Sequence, residues 1–267
     1  MPAASLHVET WGEDGTGDEP PLVLLHGFTQ TGRLWGPFGE RLAESHTLVA
    51  VDLPGHAGSD AARADLPETA DLVAETVRVA VGDGPSDVLG YSLGARVALH
   101  VVTASDLSVG RVVLIGATAG IDDPVERERR RAEDVALADR LEASGDVEDF
   151  MEKWLRSPLF ERLSSTAADR TERLRNSATG LAASLRSSGT GTQAPLWGEL
   201  HNVATPVLAL AGADDARYAA HALRVARTTP QAVASLVPGG GHAVHLAQPA
   251  QAWRIVEHWL AAAGSQL

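Results

Sequence analysis

The stretch that decides the reading of this chain is Asp87-Val88-Leu89-Gly90-Tyr91-Ser92-Leu93-Gly94-Ala95-Arg96-Val97-Ala98-Leu99-His100-Val101-Val102. A short apolar run ends in Gly-x-Ser-x-Gly, and an apolar segment of helical length comes next. A strand, a tight turn and a helix at these positions hold the Ser92 hydroxyl exposed at a helix N-terminus, where the backbone dipole favours developing negative charge. Glycines flank the serine because such a turn leaves no room for Cβ atoms. Gly-x-Ser-x-Gly also arises by chance, so its weight rests on its flanks and on the partner residues downstream in the chain.

With 267 residues, 44% of them hydrophobic, the chain can bury a large core as one α/β domain. The absence of cysteine excludes disulfides, thiolate metal sites and a cysteine nucleophile. A net charge of -13 argues against nucleic acid and anionic membranes as partners. Met1-Pro2-Ala3-Ala4-Ser5 has no basic segment leading into an apolar one, and no run approaches the ~18 apolar residues of a membrane span, so a cytoplasmic location is expected. The charge is uneven: residues 125–200 hold 12 of the 22 Lys and Arg and 14 of the 35 Asp and Glu, so this segment is near neutral. Its arginines form solvated i,i+4 pairs in one reading, and a few turn inward to clamp an anionic substrate in the other.

Apolar β-type runs recur at Leu6–Thr10, Leu22–Leu25, Leu48–Val51, Val88–Leu89, Val112–Ile115, Val207–Leu210 and Val233–Val237. Helix-length segments lie between most of them, at Trp35–Ser45, Thr69–Val81, Leu93–Val102, Tyr218–Arg227 and Pro249–Ala263. This alternation predicts a mostly parallel sheet with helices on both faces. Leu22–Leu25 is apolar at every position, as expected of a strand covered on both faces. Glu13–Pro21 reads as a polar loop. The alternation stops after Ile115, and from Val125 to Leu200 the chain is rich in Arg, Glu, Ala and Leu at helical spacing. We therefore expect an α/β core from residues 1–120 and 204–267, with a helical cap inserted over 121–203. Phe150, Trp154, Phe160 and Trp197 fall in that insertion and either line a pocket or form the cap's own small core.

Serine needs an imidazole to activate it, and the imidazole needs a carboxylate to fix its tautomer. Two acids, Asp214 and Asp215, follow the run Val207–Leu210; Gly212-Ala213-Asp214-Asp215 fits G-x-x-D, which favours Asp215 with Asp214 as the fallback. Gly239-Gly240-Gly241-His242 then delivers a histidine, with His245 the alternative three residues later. Backbone N–H groups of Leu93 and Phe28 are placed to form an oxyanion hole, one just after the serine and one in the loop Leu25-His26-Gly27-Phe28. His26, and His56 in Asp52-Leu53-Pro54-Gly55-His56-Ala57-Gly58-Ser59, read as structural. Taken in order, these segments resemble the α/β-hydrolase superfamily. A dehalogenase is disfavoured, because it needs an aspartate where Ser92 stands.

Further motifs narrow the resemblance. Leu25-His26-Gly27-Phe28-Thr29-Gln30-Thr31-Gly32-Arg33-Leu34-Trp35, Gly90-Tyr91-Ser92-Leu93-Gly94-Ala95-Arg96, Trp154-Leu155-Arg156-Ser157-Pro158-Leu159-Phe160, Leu185 through Trp197 with its Gly189-Thr190-Gly191-Thr192-Gln193, and Asp215-Ala216-Arg217-Tyr218 resemble segments of the 2-succinyl-6-hydroxy-2,4-cyclohexadiene-1-carboxylate (SHCHC) synthases of menaquinone biosynthesis. The resemblance runs from about Leu22 to Pro249. Departures are Ala95 for a usual glycine, Gly116-Ala117-Thr118-Ala119-Gly120 for the usual turn there, and Gln248-Pro249 for E-N-P. None removes a catalytic group.

The resemblance implies a lyase that eliminates pyruvate from an enolpyruvyl-bearing substrate, with Ser92 as general base in a Ser92–His242–Asp215 triad. It implies a small polycarboxylate substrate bound by Arg96, Arg127 and Arg175, with Tyr91 and Trp154 lining the pocket. No metal or organic cofactor is implied. The alternative is a serine hydrolase of an anionic ester, thioester or C–C substrate. A non-catalytic binding protein on this fold is a third class, which an intact triad disfavours.

Overall fold

The computed structural model describes residues 5–12 and 19–264. The expected start segment up to Ala4, and positions 13–18 of the expected polar loop, lie outside the described residues. Seven strands form one sheet: β1 (Val8–Gly12), β2 (Leu22–Leu25), β3 (Thr47–Val51), β4 (Ser86–Tyr91), β5 (Val109–Ile115), β6 (Val207–Gly212) and β7 (Ala232–Val237), in the order β1-β3-β2-β4-β5-β6-β7. Only β1 runs antiparallel to its neighbour; the other pairings are parallel. The first strand starts two residues later than expected. Leu6 is instead buried beneath the helix of residues 66–81, with its N–H donated to Thr76 Oγ1 at 3.0 Å, and pairing begins at Val8 opposite Val51.

Helices connect the strands: α1 (Gly36–Leu42), α2 (Leu66–Val81), α3 (Leu93–Ala104), α4 (Pro124–Ser144), α5 (Val147–Leu155), α6 (Ser165–Ala168), α7 (Arg170–Arg173), α8 (Ala178–Ser188), α9 (Ala216–Thr228), α10 (Val244–Ala247) and α11 (Pro249–Gly264). The period-2 alternation of a strand divides the core in two. Val23, Leu25, Val49 and Val51 face α2, α3 and α9, whereas Leu22, Leu24, Leu48 and Ala50 face α1, α10 and α11. β2 is therefore apolar at all four positions because each face meets helices. Each buried Val or Leu among them contributes about 1.5–3 kcal/mol of transfer free energy.

Five helices, α4 to α8, stand between β5 and β6. Local signals define them well. Asp123 caps α4 by accepting from the Val125 and Glu126 N–H groups at 2.8 and 2.9 Å, and Gly145 ends it with φ +63°. Asp146 and Ser177 cap α5 and α8 in the same way. Their apolar contacts are small: Leu141, Phe150, Met151 and Leu181 form one cluster, and Ala138, Ala182 and Leu185 another. Phe28 from the core packs against both. Among the described residues, no helix is long and apolar enough to cross a membrane.

Candidate active site

Ser92 sits between β4 and α3 with φ +51° and ψ -102°. An L-residue in this region is strained, and strain of this kind persists only where the surroundings over-determine it. Here they do so through the two glycines. A Cβ on Gly94 would collide with the Leu25 carbonyl oxygen, and one on Gly90 with the Gly94 carbonyl. The Gly94 N–H donates to the His26 carbonyl at 3.0 Å, which ties the turn to the loop after β2.

The structure brings Ser92, His242 and Asp215 together. Ser92 Oγ lies 3.0 Å from His242 Nε2, and His242 Nδ1 lies 3.2 Å from Asp215 Oδ2. Burial pushes the Asp215 carboxyl up, but the His242 hydrogen bond and the Tyr218 N–H outweigh it and hold the group below its usual value. A carboxylate, an imidazole and a hydroxyl in this sequence let the serine give up its proton to the ring. Asp214 turns away and pairs with Arg162 at 2.9 Å. His245 also lies apart from the hydroxyl, fully buried among Trp35, Phe38 and Tyr91.

Among the described residues the N–H groups of Phe28 and Leu93 have no protein acceptor, and both residues line the cavity beside Ser92. Two histidines brace the loop that carries Phe28. His26 Nε2 accepts from the Leu53 N–H at 3.0 Å while Nδ1 donates to the Gly27 carbonyl at 2.8 Å. His56 Nε2 accepts from the Thr29 N–H at 3.3 Å while Nδ1 donates to the Pro54 carbonyl at 3.1 Å. Burial keeps both rings neutral, lowering their pKa values to about 4 and about 3.

The cavity over Ser92 has a volume of about 130 Å³. Arg96, Arg130 and Arg217 line it, with Trp154, Leu159 and Tyr218. Arg96 is 7% exposed, donates to the Gly189 carbonyl at 3.3 Å, and has its pKa lowered to about 10 by burial. Arg130 is steadied by Asp134, one turn on, at 2.9 Å.

Of the five expected substrate-binding residues, Arg96 and Trp154 line this cavity. Tyr91 lies behind it, 2% exposed, with its ring 5.4 Å from that of His242 and 4.4 Å from that of His245. Arg127 lines a different cavity and donates to the Ile121 carbonyl at 2.8 Å. It lies two turns before Asp134, or roughly 10 Å along the α4 axis, so Arg130 takes the position facing Ser92. Arg175 is exposed and pairs with Glu172 at 2.7 Å. Arg173, two residues earlier, points inward instead, 1% exposed and donating to Thr29 Oγ1 at 2.6 Å. Nothing in the local spacing singled out Arg130 or Arg173 among so many arginines. Arg217 did carry a signal, since it lies two residues after Asp215 in the segment Asp215-Ala216-Arg217-Tyr218.

Known proteins resemble this chain in sequence and in fold. Residues 22–254 match the profile described as the alpha/beta hydrolase family. A 2-succinyl-6-hydroxy-2,4-cyclohexadiene-1-carboxylate synthase of Serratia proteamaculans (strain 568) is 30% identical over 89% of this chain and 91% of that protein. Protein PHYLLO, chloroplastic, of Arabidopsis thaliana is 29% identical over 91% of this chain, which spans 15% of that protein's length. The structure of MenH from S. aureus superposes with a TM-score of 0.89 at 26% identity, covering 97% of this chain and 99% of that one. The chain is thus a member of the alpha/beta hydrolase family, within its SHCHC synthase branch.

Proposed function

We propose that this protein eliminates pyruvate from SEPHCHC, the enolpyruvyl-bearing precursor, to give SHCHC in menaquinone biosynthesis. The observation that carries the reading is the pairing, in one cavity, of Ser92 hydrogen-bonded to His242 with three arginines. A multiply anionic substrate needs cations at its binding surface, and guanidinium groups take carboxylates bidentately.

In this reading Ser92 acts as the base. His242 draws the hydroxyl proton as Ser92 Oγ removes a ring proton from the substrate, and Asp215 stabilises the resulting imidazolium. Negative charge grows on the substrate oxygen conjugated to that carbon, where the Phe28 and Leu93 N–H groups receive it. The electron pair moves through the ring, the bond to the enolpyruvyl oxygen breaks, and the leaving group takes a proton to become pyruvate. No acyl-enzyme forms. Arg96 and Arg130 hold substrate carboxylates. Residues 121–203 act as a cap over a core of residues 1–120 and 204–267, supported by the presence of α4, α5 and α8 residues in the cavity wall beside Ser92. A cytoplasmic location fits a reaction on small soluble metabolites.

The test is release of pyruvate from enzymatically generated SEPHCHC, followed together with the absorbance of the new conjugated diene. Ser92→Ala is expected to lose at least about 10³-fold in kcat. Turnover that survives in Ser92→Ala would sink the mechanism. A burst of product with a mass increase on Ser92 would establish the serine hydrolase instead.

A further inference from the structure

On the far side of the Gly189–Gln193 loop, two buried side chains hold polar atoms without protein partners among the described residues. Gln193 is 2% exposed with both amide atoms unmet, and His100 is 5% exposed with Nε2 unmet. Unsatisfied buried polar groups are few in native proteins, and each calls for a cause. Both side chains line one cavity of about 650 Å³, bounded by the start of α2, the first turns of α4 and the loop. It shares no lining residue with the cavity over Ser92. The loop is pressed onto α4, since a Cβ on Gly191 would collide with the Arg131 backbone.

One guanidinium of the wall, that of Arg127, stands outside any ion pair among the described residues. Arg127 makes no salt bridge among the described residues, although Asp123, one turn before it, feels its charge, and Arg131 reaches Glu128 at 3.8 Å. Arg186 is balanced by Asp139 and Glu142, both at 2.7 Å. Asp65 is engaged as the cap of α2, accepting from the Glu68 N–H at 3.0 Å. The other charges are matched or outnumbered by carboxylates, so the cation on offer is the Arg127 guanidinium by itself, which suits a single carboxylate better than a dianion. Leu66, Pro67 and Ala194 provide an apolar side for a carbon body.

We propose that this cavity is a second ligand site, separate from the catalytic one, for a small organic monocarboxylate. Arg127 takes the carboxylate, and Gln193 and His100 hydrogen-bond to its oxygens or to a neighbouring polar group. The site would account for two features that the lyase reading leaves idle: the glutamine that ends Gly189-Thr190-Gly191-Thr192-Gln193, and an arginine turned away from Ser92.

The probe is benzoate, titrated into the ¹⁵N-labelled full chain, with inorganic phosphate as a parallel arm. The readout is the Gln193 side-chain NH₂ signal, assigned by its loss in Gln193→Leu. Benzoate is expected to shift this signal saturably, with Kd changed by less than about twofold in Arg96→Ala and raised about tenfold or more in Arg127→Ala. A Tm rise with benzoate in the wild type that vanishes in Gln193→Leu gives a second reading should Arg127→Ala fail to fold. The site is overturned by the absence of any saturable shift, by tighter binding of phosphate than of benzoate, or by a response lost in Arg96→Ala and kept in Arg127→Ala. A benzoate-soaked crystal showing only water there overturns it as well. None of these readouts involves turnover, so the result stands apart from the lyase assay.

Discussion

Every residue of β4 is buried, whereas α4, 21 residues long, buries only Asp134, Ala138 and Leu141. The strand is placed by hydrogen bonds to two neighbours and by apolar side chains on both faces. The helix is placed by one long contact with α8, small apolar contacts with α5 and the close approach of the Gly189–Gly191 loop, and much of the rest of its surface is charge in water. One consequence is precision. Ser92 is held by backbone geometry that a single Cβ would destroy, while Arg130, on α4, is placed by side-chain contacts of a mostly exposed helix. Another is tolerance, since exposed ion pairs such as Arg129–Glu133 are worth little each.

The sharpest way to break this contrast is to add the same methyl group in both regions. Gly94→Ala forces a Cβ onto the Leu25 carbonyl, with a loss of about 4 kcal/mol or more, enough to prevent stable folding. Gly145→Ala at the end of α4 meets nothing within 4 Å and suffers only the left-handed φ, a cost of about 1–2 kcal/mol. Urea melts of both variants check this. Equal losses would mean that the helical insertion is as tightly determined as the core.

Acid should act on the core first. His26 and His245 are fully buried with pKa values lowered, mainly by burial, to about 4 and about 3. Once pH falls below the unfolded value near 6.5, the unfolded chain binds protons that the folded chain refuses. Stability is therefore present above that value and lost as pH falls toward the folded values, by on the order of 1 kcal/mol per pH unit for each such histidine. His245→Leu removes a ring whose two nitrogens have no partner among the described residues, and should flatten the decline between pH 6.5 and 4. Denaturant midpoints at pH 7, 5.5 and 4.5 measure the slope, and an unchanged slope would remove His245 from the account.

Smaller effects separate the inward arginines from the outward ones. Arg96→Ala should raise KM for the anionic substrate by about tenfold, while Arg175→Ala, which removes only the exposed pair with Glu172, should change it by less than about twofold. Steady-state kinetics on both variants decide this. A larger loss from Arg175→Ala would restore the expectation read from the family pattern.

These contrasts match the division between local and long-range information in the chain. The mostly parallel sheet around Ser92 followed from alternation of apolar runs and helices, and the preference for Asp215, with Asp214 as the fallback, followed from the G-x-x-D motif. Both are backbone-level facts, because a strand end or a glycine turn leaves few directions for the next side chain. Tyr91, read as pocket lining, lies under His242 because alternate residues of a strand point to opposite faces, and its face is the one covered by α10 and α11.

By itself the sequence carried the seven strand runs and the turn at Ser92, which rest on local periodicity and on glycines that geometry demands, and, through the resemblance of its ordered motifs, the fold family and the expectation of His242 and Asp215. Only the tertiary structure decided that Arg130 and not Arg127 faces Ser92, that Arg173 and not Arg175 is buried, and that Gln193 and His100 share a cavity. Arg127 and Arg130 lie about 4.5 Å apart along the α4 axis, and Arg175 lies beyond the end of α7, so the packing of these helices against their neighbours, which no local pattern encodes, sets which arginine looks inward.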